Sequence, residues 1–350
     1  MKTTCLVTGG AGFIGCALSS GLCDRFDEVV IVDKMHPQIH ASTDRPSALD
    51  ARATFLHADI TDQGVMNELV GRLRPHTVIH LAAETGTGQS LTEATRHAQE
   101  NVVGTTVMLD ALAAHQHVPE QFILSSSRAV YGEGKWAKAD GTEFYPGQRT
   151  QGQLAEHRWD HAGAQHVPFS ARVTHPRPTS VYGATKLTQE LILESWVAAF
   201  GGRLTILRLQ NVYGPGQSLI NSYTGIVSLF AQVARRGDSI PLYEDGEMLR
   251  DFVFIDDVAS GFLAAIDQMP ADTQYFDIGS GDAAPLSRVA QFMQQHYEAP
   301  APHVNAKYRY GDVRHASCDM SDTLSRLNWS PQWPLEKGLA ALCVWIETQL

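Results

Sequence analysis

Nowhere in the 350 residues is there an apolar run approaching the roughly 18 residues that a membrane span needs. The start, MKTTCLVTGGAGF, has only a short apolar stretch, and glycines interrupt it before a cleavage signature could form. Neither secretion nor membrane insertion is expected, and a cytoplasmic location is. Cysteine is scarce: Cys5, Cys16, Cys23, Cys318 and Cys343 are odd in number and show no CxxC or other metal-ligand spacing, so they read as reduced thiols, mostly packing residues. His157, His161 and His166 have no accompanying carboxylate or thiol pattern, and no metal is expected. Positive charge is in deficit. Against 38 acidic residues stand 27 scattered Lys and Arg, a formal charge of -11, which excludes a nucleic-acid surface and leaves any anionic ligand to a few placed arginines. With charged residues at 19%, Gly 29 and Pro 16, disordered and low-complexity tracts are absent as well.

What is present is a globular composition, 43% hydrophobic, enough for two compact units or one large domain with a lid. Short β-branched or apolar runs alternate with helical-length stretches: Thr4–Thr8, Val29–Asp33, Thr54–His57, Thr77–Ala82, Gln121–Ser125 and Leu204–Leu209 are expected strands. Strands apolar on both faces and separated by helices predict an α/β fold, a Rossmann-type doubly wound parallel sheet. Asn101–Ala114 and Val181–Phe200 are the clearest long helices. From about Glu133 to Pro178 the rhythm breaks in a stretch rich in Gly, Pro, Gln, His and Arg, expected to be an insertion near the site, with Gln151 to Asp160 its only periodic piece. After Leu209 come shorter mixed elements: Gly225–Arg236, Asp251–Ile255, Asp256–Gln268, Gln274–Ile278, Leu286–His296 and a last helix from Leu335. The expected division is therefore a dinucleotide-binding domain over 1–178, carrying the insertion, and a remainder over 179–350 in which the rest of the sheet interleaves with a smaller C-terminal α/β cap.

Two constellations carry chemistry. Strand Thr4–Thr8 runs into GGAGFIG, which places Gly9, Gly12 and Gly15 at a strand-to-helix turn: the first permits the turn, the second lets backbone approach a pyrophosphate, and the third lets helix and strand pack closely. Asp33 ends the second strand about 20 residues on, where a carboxylate accepts from ribose hydroxyls and repels a 2′-phosphate, so NAD is favoured over NADP, although Lys34 beside it keeps NADP open. Asp59 and Ile60, after the third strand, are candidates for the adenine edge and face. The second constellation is Tyr182 and Lys186 at i and i+4 of VYGATK, one face of a helix, where a cation lowers the pKa of a phenol that would act as general base. Ser125, Ser126 and Ser127 follow a strand whose C-terminal end would open on the ligand crevice, and a serine there can hydrogen-bond a hydroxyl as it becomes a carbonyl.

Taken together, TGGAGFIG, Asp33, Asp59 with Ile60, HLAA at His80–Ala83, Asn101, SSSRAVYG, YGATK, LRLQNVYGPG, RDFVFIDDVA and RYGDVRH resemble, over nearly the whole length and in the same order, the extended short-chain dehydrogenases/reductases of the nucleotide-sugar epimerase and dehydratase group. The resemblance implies bound NAD, touched by Phe13 and Ile14 of the glycine loop, Leu81, Ala82 and Ala83 on the nicotinamide side, Asn101, Ser125 and Gln210. It implies Ser127, Tyr182 and Lys186 as the catalytic set, Lys186 also reaching the nicotinamide ribose. It places Thr87, Ser127 and Arg128 among the substrate-binding residues, Asn211 on the sugar or the diphosphate, and Arg250 and Arg309 on the substrate diphosphate. It also implies a homodimer built on the two long helices, whose apolar positions exceed what one buried face requires.

Departures narrow the reaction. The 4,6-dehydratases carry Asp-Glu immediately after the catalytic residue; here Arg128 and Ala129 stand there. Decarboxylases have a glutamate, and 3,5-epimerases a cysteine, at the place of Ala129, which can do neither task. What remains is oxidation and reduction at one carbon, which suffices for 4-epimerisation. The loop Gly86–Ser90 and the insertion are most similar to deoxysugar 4-epimerases whose members often carry cysteine pairs in that insertion; this chain has none there. A 4-ketoreductase with the same catalytic set, and a nucleotide-sensing protein without activity, stay open as alternatives.

Overall fold

The structure is a computed structural model that describes residues 2–221, 225–269 and 271–350. Seven strands form one parallel sheet: β1 (Thr4–Thr8), β2 (Glu28–Asp33), β3 (Thr54–His57), β4 (Thr77–His80), β5 (Gln121–Ser127), β6 (Arg203–Leu209) and β7 (Gln274–Ile278), in the order β3-β2-β1-β4-β5-β6-β7. Alternation explains why it is covered on both sides. Cys5, Val7, Val29 and Ile31 enter one apolar cluster while Leu6, Val30 and Val32, the intervening residues, enter the cluster on the other face. The sequence runs doubly wound from β1, outward to β3 and then back past β1 to β4, so the crevice above the β1/β4 boundary is the expected ligand site of this architecture.

Helix α1 (Phe13–Cys23) links β1 to β2, and α2 (Gln63–Leu73), capped by Asp62 accepting from the Val65 N–H, links β3 to β4. The helix expected from Asn101 has a longer course: a turn of α-helix at Ala94–Ala98, a π-helical turn at Gln99–Val103, then α3 (Gly104–Ala114). The wider turn carries Asn101 inward. Helix α4 (Val181–Phe200) matches expectation at both ends; the Ser180 hydroxyl caps it by accepting from the Gly183 N–H at 3.0 Å.

The region 133–178 contains a three-stranded antiparallel sheet that the sequence pattern does not show, Glu143–Phe144, Trp136–Lys138 and Ala164–His166, and a short helix Gln151–Ala155 within the periodic piece Gln151 to Asp160. A further three-stranded sheet joins Asn211–Tyr213, Leu249–Phe254 and Ala283–Pro285 and covers a second apolar core with the helices α5 (Ile226–Arg235), α7 (Leu286–His296) and α8 (Leu335–Gln349), while α6 (Ile255–Gln268) lies against α1. Among the described residues no helix is long and apolar enough to cross a membrane.

Candidate active site

Every strand of the large sheet from β1 to β6 delivers a site residue at or just beyond its C-terminal end: Gly9, Asp33, Asp59, Leu81, Ser125 to Ser127, and Gln210. These positions surround one cavity of about 680 Å³ that extends to the cap, where Phe230, Val233, Met248, Phe252 and Leu286 give it an apolar end. Of the residues singled out in the sequence, Gly9, Gly12, Phe13, Ile14, Asp33, Asp59, Ile60, Leu81, Ala82, Ala83, Thr87, Ser125, Ser127, Arg128, Tyr182, Lys186, Gln210, Asn211, Arg250 and Arg309 all line it.

Two do not. Gly15 packs behind the turn, where a Cβ would lie 2.2 Å from the Gly10 carbonyl oxygen. Asn101 is buried below the cavity: its amide accepts from the Glu84 N–H at 2.7 Å and donates to the Glu84 carbonyl and to the Thr185 hydroxyl, at 3.0 and 2.9 Å. It ties the loop after β4 to the helix that carries Tyr182 and Lys186.

The dinucleotide end is shaped for a pyrophosphate and a ribose. Gly9 has φ +67° and would drive a Cβ to 2.5 Å from the Ala82 backbone, so only glycine turns here. Gly12 caps α1 without any side-chain bond, leaving first-turn N–H groups for an anion. Asp33 is steered by the chain itself, one oxygen accepting from the Ala11 N–H at 3.2 Å and the other from the Met35 N–H at 2.9 Å. Lys34 also lines the cavity, paired with Glu100 at 2.5 Å. Gln210 lines the cavity with both amide atoms buried and unpartnered, donors and acceptors that a bound NAD would satisfy.

At the reactive end Tyr182 and Ser127 both line the cavity, and the Ser127 hydroxyl lies close enough to favour the ionised phenol. Burial pushes the phenol's pKa up, opposed by that hydroxyl and by the Arg128 charge. Burial pulls the Lys186 ammonium down to about 7 against the attraction of Glu190; its Nζ donates to Gln189 at 2.6 Å. Gln189 in turn meets His80 at 3.0 Å, an imidazole held neutral, its pKa pulled to about 3 by burial and by the charge of Lys186. Beneath the serines, Ser126 donates to Glu190, which also takes a bidentate pair from Arg208 at 3.0 and 2.7 Å. This buried ion pair anchors the middle serine, while all three serines line the cavity.

Three cavity arginines have no carboxylate within ion-pair distance among the described residues. Arg250 donates only to the carbonyls of Leu249, Val313 and Arg314 and touches the Met248 sulfur, Arg309 lies 5.1 Å above the Tyr243 ring, and Arg128 donates its Nε to Asn211 at 2.7 Å. Asp312, three residues beyond Arg309, also lines the cavity and was not singled out, although it stands inside the RYGDVRH motif. Gly10, His36 and His40 were likewise passed over: Gly10 is the surface on which Gly15 packs, and the two histidines line the cavity beside Asp33 from a loop with no motif. In the insertion, His161 and His166 pack with His315 around Trp136, and among the described residues no group of three His, Cys, Asp or Glu side chains is arranged to hold a metal ion.

Comparison with known proteins agrees with this geometry. Residues 6–148 match the GDP-mannose 4,6 dehydratase family and residues 159–279 the NAD dependent epimerase/dehydratase family. The chain belongs to the NAD-dependent epimerase/dehydratase group of the extended short-chain dehydrogenases/reductases and is an enzyme that uses NAD. It is 56% identical over 345 residues, 99% of this chain and 95% of the relative, to a dTDP-L-rhamnose 4-epimerase of Burkholderia thailandensis. A UDP-glucose 4-epimerase of Corynebacterium glutamicum is 28% identical, with 93% of this chain and 90% of that one covered. Among solved structures, the UDP-glucose 4-epimerase of Thermotoga maritima with UDP-glucose superposes with a TM-score of 0.81 at 28% identity, covering 99% of each chain.

Proposed function

We propose that this cavity binds NAD along the β1–β4 edges and a dTDP-linked 6-deoxyhexose, of the dTDP-L-rhamnose type, between the catalytic set and the cap. The chain is an NAD-dependent nucleotide-sugar 4-epimerase. The observation that carries the reading is the junction after β5: Ser127 lining the same cavity as Tyr182 and Lys186, followed by Arg128 and Ala129 where dehydration would need an acid and a base. NAD, when bound, supplies the acceptor and then the donor for the hydrogen at C4, and its cationic ring lowers the phenol's pKa further. Tyr182 takes the proton of the C4 hydroxyl, Ser127 holds the oxygen as it becomes a carbonyl, and Tyr182 returns the proton once the ketosugar has turned its other face. Arg250 and Arg309 hold the diphosphate through the turn, and the apolar end receives the base.

The test is incubation with dTDP-L-rhamnose, UDP-glucose and UDP-glucuronic acid, without added cofactor, read by NMR. A C4 epimer of the dTDP sugar is expected, with deuterium placed at C4 retained and no solvent deuterium entering C5. Solvent label at C5 refutes the reading, and turnover that requires added oxidised cofactor and yields a 4-ketosugar with reduced cofactor in place of an epimer favours the ketoreductase. The chain is also proposed to pair with a second copy through α3 and α4. Their outer faces form a shallow groove lined by Leu109, Leu191, Ile192 and Trp196, with Leu191 and Phe200 53% and 55% exposed. A monomeric mass by light scattering at micromolar concentration rules this out.

A further inference from the structure

Arg128, expected from the resemblance among the substrate-binding residues, is the one of the three unpaired cavity arginines to which the proposed function gives no task. It opens a 3₁₀ turn, Arg128–Tyr131, that lies hard against the first turn of α4: a Cβ on Gly183 would come 2.5 Å from the Ala129 carbonyl oxygen. That approach fixes the start of the Arg128 side chain relative to Tyr182, one residue before Gly183. Asn211 fixes its far end by accepting from Nε at 2.7 Å. The guanidinium is half-buried and lines the cavity without an ion pair among the described residues; Asp312 acts on it across the cavity, and a further anion forming beside it would be stabilised. The substrate diphosphate has Arg250 and Arg309; the anion generated at this end of the cavity is the Tyr182 phenolate.

We propose that Arg128 is a positioning residue acting through Tyr182: a cation at neutral pH, oriented by Asn211, that holds the general base in its ionised form. The inference rests on the reading of Tyr182 as that base. The groups that face the pair are few. From β5 and its turn come Ser127 and Arg128 itself, from α4 comes Lys186, and from the cap come Arg250 and Asp312, while His80 and Glu190 face Lys186. Among them Ser127 and Arg128 are the two that pull the phenol's pKa down against burial. Lys186, drawn to about 7 and engaged with Gln189, is only partly charged at neutral pH. Arg128, pressed down to about 9 by burial and by Arg250, remains a cation. An arginine can occupy this place without harm to the reaction, because a cation there neither donates nor accepts the C4 proton.

The experiment is the pH dependence of kcat, across about pH 5 to 10, for wild type, Arg128→Met, Arg128→Lys, Asn211→Ala and Tyr182→Phe, with bound NAD and KM measured in parallel. Arg128→Met is expected to move the acid limb upward by about one pH unit, a tenfold loss at neutral pH that alkaline pH restores, with NAD content kept. Arg128→Lys should return the limb most of the way, and Asn211→Ala should shift it in the same direction by less. The ultraviolet absorbance of tyrosinate, wild type minus Tyr182→Phe, should report the same displacement. A raised KM with an unmoved limb makes Arg128 a substrate-binding residue and overturns the proposal, as does a loss equal at all pH values. Where Arg128→Met fails to fold, an unmoved limb in both Arg128→Lys and Asn211→Ala overturns it as well. Turnover by Tyr182→Phe would bring down the reading of the active site itself, whereas an inactive Tyr182→Phe with an unmoved Arg128→Met limb brings down only the role of Arg128.

Discussion

Replacing Gly15 by alanine tests whether the glycine turn is a cofactor cradle or only a tight connection. The added Cβ would lie 2.2 Å from the Gly10 carbonyl oxygen and 2.5 Å from the Gly10 carbonyl carbon and Cα, where ordinary contact begins at 3.4 Å. Helix α1 and the turn must therefore separate by about 1.2 Å, the difference between 3.4 and 2.2 Å. Neither side gives freely. A Cβ on Gly10 would come 2.8 Å from Val7 and 2.9 Å from Ile31, so the turn is wedged on the sheet, and one on Gly21 would come 2.6 Å from Leu263, so α1 is pressed against α6. Overpacking of this kind costs about 1–3 kcal/mol. The N–H groups displaced are those at the start of α1, so the cost falls on the NAD-bound state, and at about 1.4 kcal/mol per factor of ten the affinity should drop roughly five- to 150-fold. Gly152→Ala is the control: it sits in the short helix Gln151–Ala155 with nothing within 4 Å of an added Cβ, and should leave NAD bound while adding about 0.4–1 kcal/mol of stability. The assay is the NAD content of purified protein, followed by calorimetric rebinding. A Gly15→Ala protein that binds NAD within twofold of wild type refutes the reasoning.

Three further outcomes follow from named groups. Asp33→Asn should cut the preference for NAD over NADP by about tenfold, because the carboxylate that repels a 2′-phosphate is neutralised while its backbone contacts can persist; unchanged competition between the two in calorimetry removes Asp33 from this role. Tyr182→Phe should abolish turnover with NAD still bound, since the ring stays and the proton acceptor goes, and activity within about tenfold of wild type contradicts it. His166 has both ring nitrogens buried without partners and its pKa pulled by burial from 6.5 to about 3, so its contribution is intact above about pH 6.5 and is lost as pH falls towards 3; His166→Phe should therefore shrink the urea-measured stability loss between pH 7 and 5 by about 2 kcal/mol, and an unchanged loss counts against that burial.

The sheet and the site were readable to different depths, for physical reasons. Six strands and α4 announce themselves by local pattern, since burial on both faces forces apolar runs and Ser180 marks the helix start. The seventh strand, Gln274–Ile278, shows its apolar residues in the sequence, but its place beside β6 at the sheet edge is a long-range pairing that periodicity does not encode. The strands of the insertion are two or three residues long, too short for any alternation to register. Asn101 stands out as a motif residue, yet its bonds to Glu84 and Thr185 depend on a π-helical turn that inserts no recognisable signal into QENVV. The glycine loop, Asp33, the serines and YxxxK were visible because each combines a residue type with a strand or helix end. Gly10 and Asp312 were not, because their importance lies in what packs or charges against them.

The insertion shows the same limit at larger scale, and it bears on how the substrate end of the cavity is built. Its apolar content is small, with Trp136, Leu154 and Phe169 its fully buried large side chains, so burial alone does not orient it. What does is a buried ion network. Arg149, fully buried, reaches Glu133 at 3.2 Å and Glu244 at 2.8 Å through each terminal nitrogen, and donates to the carbonyls of Trp159 and Asp312. Arg314 completes it, its N–H on Glu133 and its guanidinium on Asp160, Glu244 and Asp245. Buried ion pairs add little net stability over apolar packing, but they tolerate only one geometry, so their gain is in orientation. Here they clamp the insertion, the loop at Glu244 and the segment carrying Asp312 into a single arrangement, and the Arg309–Asp312 stretch is thereby presented to the cavity at a fixed height. In an acidic chain these structural arginines are all matched by carboxylates, which is why Arg250 and Arg309, without an ion pair among the described residues, mark where an anionic substrate belongs.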